Sequence, residues 1–291
     1  MPDHGAAIRV ERHVEPSGPA FDLAILDFTV GTIASALTAF GNLNSAILFA
    51  ATARACGPFG TNGERRQPVS INALAASLGR PFETVRRHAN ALVEDGLIAR
   101  SPDGLYVALD SVVEPRVAAL VDCCHDRMVA LVDQAQHLGD TLPGPHPGIA
   151  YDPRVGIGLA LDLLLAALEC HGQREETPLR LALLLTLERA ALRAALDASP
   201  SQVIRTSDVA RMLDLPYATA SRNIDALVAC GLVGRDGGHL APVADDAAVA
   251  ARMALAGRAR VLIARLAQAG FPVTAPTTAL IRPRPSLAMA G

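Results

Sequence analysis

Lysine is missing: all 26 basic side chains of this 291-residue chain are arginine. With heavy alanine and leucine use, that reflects codon usage in a GC-rich genome and carries little chemistry. Tryptophan is missing too and aromatics are only 3% of residues, which disfavours a stacking platform for single-stranded nucleic acid. There is no excess of positive charge, since 29 acidic residues leave a net charge of −3, and non-specific coating of nucleic acid is excluded. Local basic surfaces are not. The five cysteines are odd in number and scattered, which fits a reduced compartment better than a disulfide framework. The first 19 residues lack the apolar segment of a signal peptide, so none is expected. Hydrophobic content of 51% excludes a wholly disordered chain, and the length suggests about two domains.

Phe28–Ala53 carries no charge, yet Gly41-Asn42-Leu43-Asn44 interrupts it with a turn or cap signal. A spanning helix needs about 20 continuous apolar residues. Two buried helices, no membrane and a cytosolic location are therefore expected.

What is present is a repeat. Shifted by 135 positions, Ile71–Leu105 aligns with Thr206–Leu240 without a gap. There are 12 identities in 35 positions, among them Leu78/Leu213, Pro81/Pro216, Thr84/Thr219, Arg87/Arg222 and Gly96/Gly231. Chance in such a chain gives about three or four. Phe82/Tyr217 is a conservative pair, and Leu26-Asp27 falls on Leu161-Asp162. The copy of the uncharged run holds Asp162, Glu169, Arg174, Glu175, Glu176 and Arg180, which a bilayer tolerates poorly. The expected organisation is a disordered tail over 1–20, a unit over 21–140 (winged helix about 69–109, long helix about 113–139), and a Pro/Gly-rich linker over 141–153. A second unit covers 154–270 (winged helix about 204–243, final helix about 245–269), before a flexible tail over 271–291.

Local signals define each unit. Asn72 can cap a short helix over 73–78, Gly79-Arg80-Pro81 ends it, and a second helix over 82–95 places Val85, Ala89 and Leu92 on one face. Gly96 stops that helix, and Ser101-Pro102-Asp103-Gly104 turns a small hairpin. The second unit repeats this with a helix over 208–213, an Asp214-Leu215-Pro216 turn, a helix over 217–230 and Asp236-Gly237-Gly238 at the hairpin tip. The expected fold class is mainly α, a tandem duplication of a winged helix-turn-helix with flanking packing helices and small hairpin wings. The small Ala75 and Ala210 allow close approach of the first helix, holding the second as a rod that can enter a major groove.

The segments LAASLGRPFETVRRHANALVEDGLI and VARMLDLPYATASRNIDALVACGLV resemble the winged helix of MarR- and IclR-type bacterial transcription regulators, over about 35 residues per unit. Two apolar helices precede each motif and a long one follows, whose Val117, Leu120, Cys124, Met128, Leu131, Ala135 and Leu138 step by three and four. That order is similar to MarR proteins, whose terminal helices form the dimer interface. The resemblance implies two protomers fused into an intramolecular pseudo-dimer, with two independent beads as the alternative. It also implies double-stranded DNA as partner and a cleft between helical layer and winged helices that could hold a small effector. A homodimer of the whole chain would present four recognition helices.

Candidate DNA contacts are Arg80, Thr84, Arg86, Arg87 and His88 in the first unit and Arg211, Thr219, Ser221, Arg222 and Asn223 in the second. Arginine can pair with guanine and asparagine with adenine in the major groove. Arg100 and Arg235 stand at the wing bases. Each motif balances four arginines with four acids, so strongly salt-dependent binding is expected. Asp122-Cys123-Cys124-His125 invites a metal reading, but neighbours on a helix point about 100° apart and cannot converge on one ion. Gly156-Ile157-Gly158 is only a fragment of a dinucleotide fingerprint. No enzyme, cofactor or metal is expected. The competing expectation is a tandem winged-helix protein-interaction scaffold or a chromosome- or plasmid-maintenance factor.

Overall fold

A computed structural model of the chain describes residues 18–56, 68–107, 109–175, 177–197 and 204–275. The expected tails fall mostly outside them. The chain is mainly helical. Two helices, α1 (Pro19–Phe40) and α2 (Leu43–Cys56), precede the shorter α3 (Ile71–Leu78) and α4 (Phe82–Glu94). A hairpin, β1 (Ala99–Ser101) with β2 (Gly104–Tyr106), leads through the short α5 (Leu109–Val113) to α6 (Pro115–His137). The C-terminal half runs α7 (Pro153–His171), α8 (Pro178–Leu196), α9 (Thr206–Met212), α10 (Tyr217–Ala229), β3 (Val233–Asp236), β4 (His239–Pro242) and α11 (Asp246–Gln268). Apart from α5, which has no counterpart, both halves present the same order of elements, and α4 and α10 start and stop 135 positions apart.

The uncharged run breaks where the turn signal stands. Gly41 takes φ +64° and its N–H bonds the Leu37 carbonyl at 2.7 Å, ending α1. The Asn42 side chain then accepts the Asn44 N–H at 2.8 Å and opens α2. Among the described residues α1 alone is long and apolar enough to cross a membrane, and more than half of its most apolar stretch is buried inside the fold.

The helical layer joins the halves. α1 lies against α6 and α8, while α7 lies against α6, α11 and α2. The buried apolar residues form one continuous cluster through both halves. In α6 the expected seam faces inward except for Leu138, which follows the helix end and is exposed. Besides Asp140 with Arg260 at 3.4 Å, two carboxylates are held across the halves. Arg54 holds Asp162 in a fork (2.6 and 2.7 Å), and Asp27 is held by Arg189 and, at 2.6 Å, by Arg193. Asp27 and Asp162 stand 135 positions apart, and so do Arg54 and Arg189. The two pairs are therefore reciprocal.

The C-terminal half also buries a polar cluster. The Arg174 side chain, 2% exposed, pairs with buried Glu188; Asp245 lies 3.7 Å from Arg174, and Arg252 lies 4.0 Å from Glu188. Buried His171 directs Nδ1 at the Ala167 carbonyl, 3.0 Å away, and its Nε2 has no hydrogen-bond partner among the described residues. Shifted by 135, His171, Arg174 and Glu188 fall on Ala36, Ala39 and Ala53, all buried in the apolar core.

Three expectations need correction. The cap of α3 is Ser70, whose hydroxyl accepts the Ala73 N–H at 3.1 Å, while Asn72 lies exposed in the first turn. The final segment is not loose at its start: Phe271 is buried and meets the Tyr151 ring edge-on at 5.1 Å. Tyr151 anchors the linker through a 2.8 Å bond to buried His125, and the His146 N–H bonds the Gln268 carbonyl. α1 begins at Pro19, two residues inside the range expected as a tail, of which 1–17 lie outside the described residues.

Candidate nucleic-acid interface

Leu74 and Ala75 of α3 bury against Val85, Ala89 and Leu92 of α4, and Val209, Ala210 and Leu213 against Ala220, Ile224 and Leu227 of α10. The apolar stepping thus fixes which side of each second helix faces in. The connecting turn needs a left-handed residue. Gly79 supplies it at φ +59° and Asp214, 135 positions later, at φ +51°. Pro81 and Pro216 then set the backbone for the first turn of α4 and α10. Each motif also ties its hairpin to the segment before its first helix: Leu105 N–H to the Val69 carbonyl and Leu240 N–H to the Ile204 carbonyl, both 2.9 Å.

On the outward faces the arginines divide. Arg87 and Arg222 are exposed and make no hydrogen bond or ion pair among the described residues. Arg86 is forked onto Glu83 at 2.8 and 2.6 Å, and those bonds hold the Glu83 carboxyl below the usual range. Arg211 pairs with Asp208 at 2.7 Å. Arg80 is half-buried in the turn, and Thr84, Thr219 and Ser221 are half-buried along the helices.

Four candidates point elsewhere. His88 is turned to α2, its Nδ1 3.1 Å from the Ser45 hydroxyl and its Nε2 buried. Burial, and then the nearby Arg87 charge, push its pKa down, so it is a neutral contact within the protein. Asn223 is half-buried and donates its amide to the Thr219 carbonyl at 2.8 Å, which occupies a group needed to read adenine. The hairpin arginines bend back: Arg100 donates to Asn90 at 2.7 Å and Arg235 pairs with Asp225 at 2.7 Å. Asn90 and Asp225 are again 135 positions apart, so both bridges brace hairpin on helix.

Sequence reasoning passed over one pair. Phe82 and Tyr217, the first residues of α4 and α10, are 46% and 61% exposed. Their matched positions were the available signal; their exposure was not. The Asp122–His125 run separates as helix geometry requires. Cys124 is buried and its thiol pushed up to about 12 by that burial, Cys123 meets Ser35 and Arg127 at 3.1 Å, and His125 meets Tyr151.

No protein family, curated protein or solved structure matches the chain.

Proposed function

We propose that the chain is a tandem duplication of a winged helix-turn-helix unit, folded as an intramolecular pseudo-dimer, and that it is a cytosolic transcription regulator binding double-stranded DNA sequence-specifically. The observation that carries this reading is the pair Arg87 and Arg222: equivalent in the repeat, exposed on the second helices, and unpaired where Arg86, Arg211, Arg100 and Arg235 are all engaged. An unpaired arginine on a rigid helix is poised for the bidentate contact to guanine. The reciprocal ion pairs support the pseudo-dimer, because a two-fold interface places i against j and j against i. The exposed Phe82 and Tyr217 suit thymine methyl or sugar contact at the helix starts.

The differing neighbours of the two arginines lead to an imperfect inverted repeat as the preferred site. In-vitro selection from random duplexes with the parent, Arg87→Ala and Arg222→Ala tests this. The expected result is a two-half-site sequence, each variant relaxing one half by about 1–3 kcal/mol of discrimination. No enrichment at low salt, with both variants like the parent, overturns it. The second reading, a protein-docking scaffold, is favoured by the same exposed aromatics and balanced charge, and it becomes the account of these faces in that event.

A further inference from the structure

The long helices α7 and α11 border an open groove of about 730 Å³ that lies away from α4 and α10. Ala166 of α7 and Met253, Gly257, Val261, Leu262 and Arg265 of α11 line it. Its size is that of a small-molecule site and its lining is mostly apolar. It lies within the helical layer, not between that layer and the winged helices.

Two features make it more than a surface dent. Met253 and Val261 are 40% and 57% exposed, so large apolar side chains are left uncovered by the described residues. Gly257 sits in the middle of a 23-residue helix without positive φ, and a side chain there would meet no atom within 4 Å. A mid-helix glycine weakens a helix. Neither backbone geometry nor internal packing calls for it, and its missing side chain leaves that stretch of the groove open.

The N-terminal half supplies a control. At the positions 135 residues earlier, Gly31 stands for Ala166, Asp122 for Gly257 and Arg127 for Leu262. Arg127 lies over Gly31 so closely that a methyl group there would fall 2.0 Å from its guanidinium. Arg127 also donates to Cys123 at 3.1 Å. One half thus closes its groove with its own side chain, and the other leaves it open.

We propose that the α7–α11 groove binds a small hydrophobic anion, a carboxylate carrying an extended apolar chain. The charge balance selects the head group. Asp162 is matched by Arg54 and Arg258 by Glu169, which leaves exposed Arg265 as the cation of the groove without a partner among the described residues. Shape selects the body: Met253 to Arg265 spans about 18 Å of helix, which suits a chain better than a single ring.

Calorimetric titration of the full chain with decanoate and with decanol tests the site, and no arm uses DNA, so the result is independent of the regulator reading. Expected is one decanoate per chain, weakened about tenfold by Arg265→Ala while decanol is unaffected. Gly257→Phe, whose ring would point into open groove, abolishes binding of both with helical content and melting temperature kept. No binding, or binding that survives Gly257→Phe, overturns the proposal. A chain that sediments as a dimer and is dissociated by Gly257→Phe overturns it equally, because the face then belongs to a second copy.

Discussion

His171, Arg174 and Glu188 replace three core alanines of the other half by a buried charged cluster, and the imidazole carries a consequence for acid stability. Burial pushes its pKa below the ordinary value, outweighing the Ala167 carbonyl and Glu188, which raise it, with smaller help from Arg174 and Arg252. In the unfolded chain the ring takes a proton near pH 6.5, whereas the folded protein refuses it until lower pH. The unfolded state then binds more protons, and stability falls as pH drops below about 6.5. The melting temperature should therefore be lower at pH 5.5 than at pH 7.5, and His171→Asn should flatten that dependence. If the slope is unchanged in the variant, the titration belongs to another group, and His88, also shifted down by burial, is the first to examine. Nothing in the sequence marked this cluster as buried. Its charges count against a membrane span, but which of them enter the core depends on α11, more than fifty residues further on, supplying Arg252 and Asp245.

The elements of the two motifs were the most readable part of the chain, because each is defined by neighbours three or four residues away. The expected second helices, 82–95 and 217–230, end within one residue of α4 and α10, since apolar stepping and a following glycine mark both ends. Side-chain directions were less readable. His88 turns inward because α2 lies over that side of α4, and a sequence does not state where a helix some 40 residues away will lie. The cap of α3 was missed by two residues for a similar reason: Ser70 and Asn72 both suit capping, and the bridge from Val69 to Leu105 decides where the extended chain ends. The turn between α9 and α10 yields a prediction at this scale. Asp214 holds φ +51° where its counterpart is glycine, a conformation that strains any residue with a Cβ. Asp214→Gly should stabilise the protein by up to about 1 kcal/mol in urea unfolding, with the slope against denaturant unchanged. A loss of stability would mean that the strain at Asp214 is smaller than the unfolded-state entropy that glycine adds.

At the scale of the whole molecule, the question is whether the halves are one folding unit or two. The repeat predicts equivalence but not contact, and the two independent beads of the alternative reading would share it. The reciprocal ion pairs favour one unit, because each pair takes one partner from each half, and so does the continuous apolar core. About a third of each carboxylate and guanidinium in these pairs stays exposed, so solvent screening limits what one pair contributes. A forked or doubly held carboxylate is nonetheless at the favourable end, and about 1 kcal/mol is a reasonable figure for Asp27 with Arg189 and Arg193. In a chain of this size, that corresponds to about 2–4 °C in melting temperature. Scanning calorimetry of the full chain should then show a single transition, with calorimetric and van't Hoff enthalpies equal. Asp27→Asn should lower that whole transition by a few degrees. Arg54→Ala should do likewise from the other side of the interface, and the two effects should add, because the pairs share no residue. Independent beads would give two transitions, and a change at Asp27 would move only one of them. That result would also remove the fixed spacing between α4 and α10 on which a single two-half-site DNA target depends.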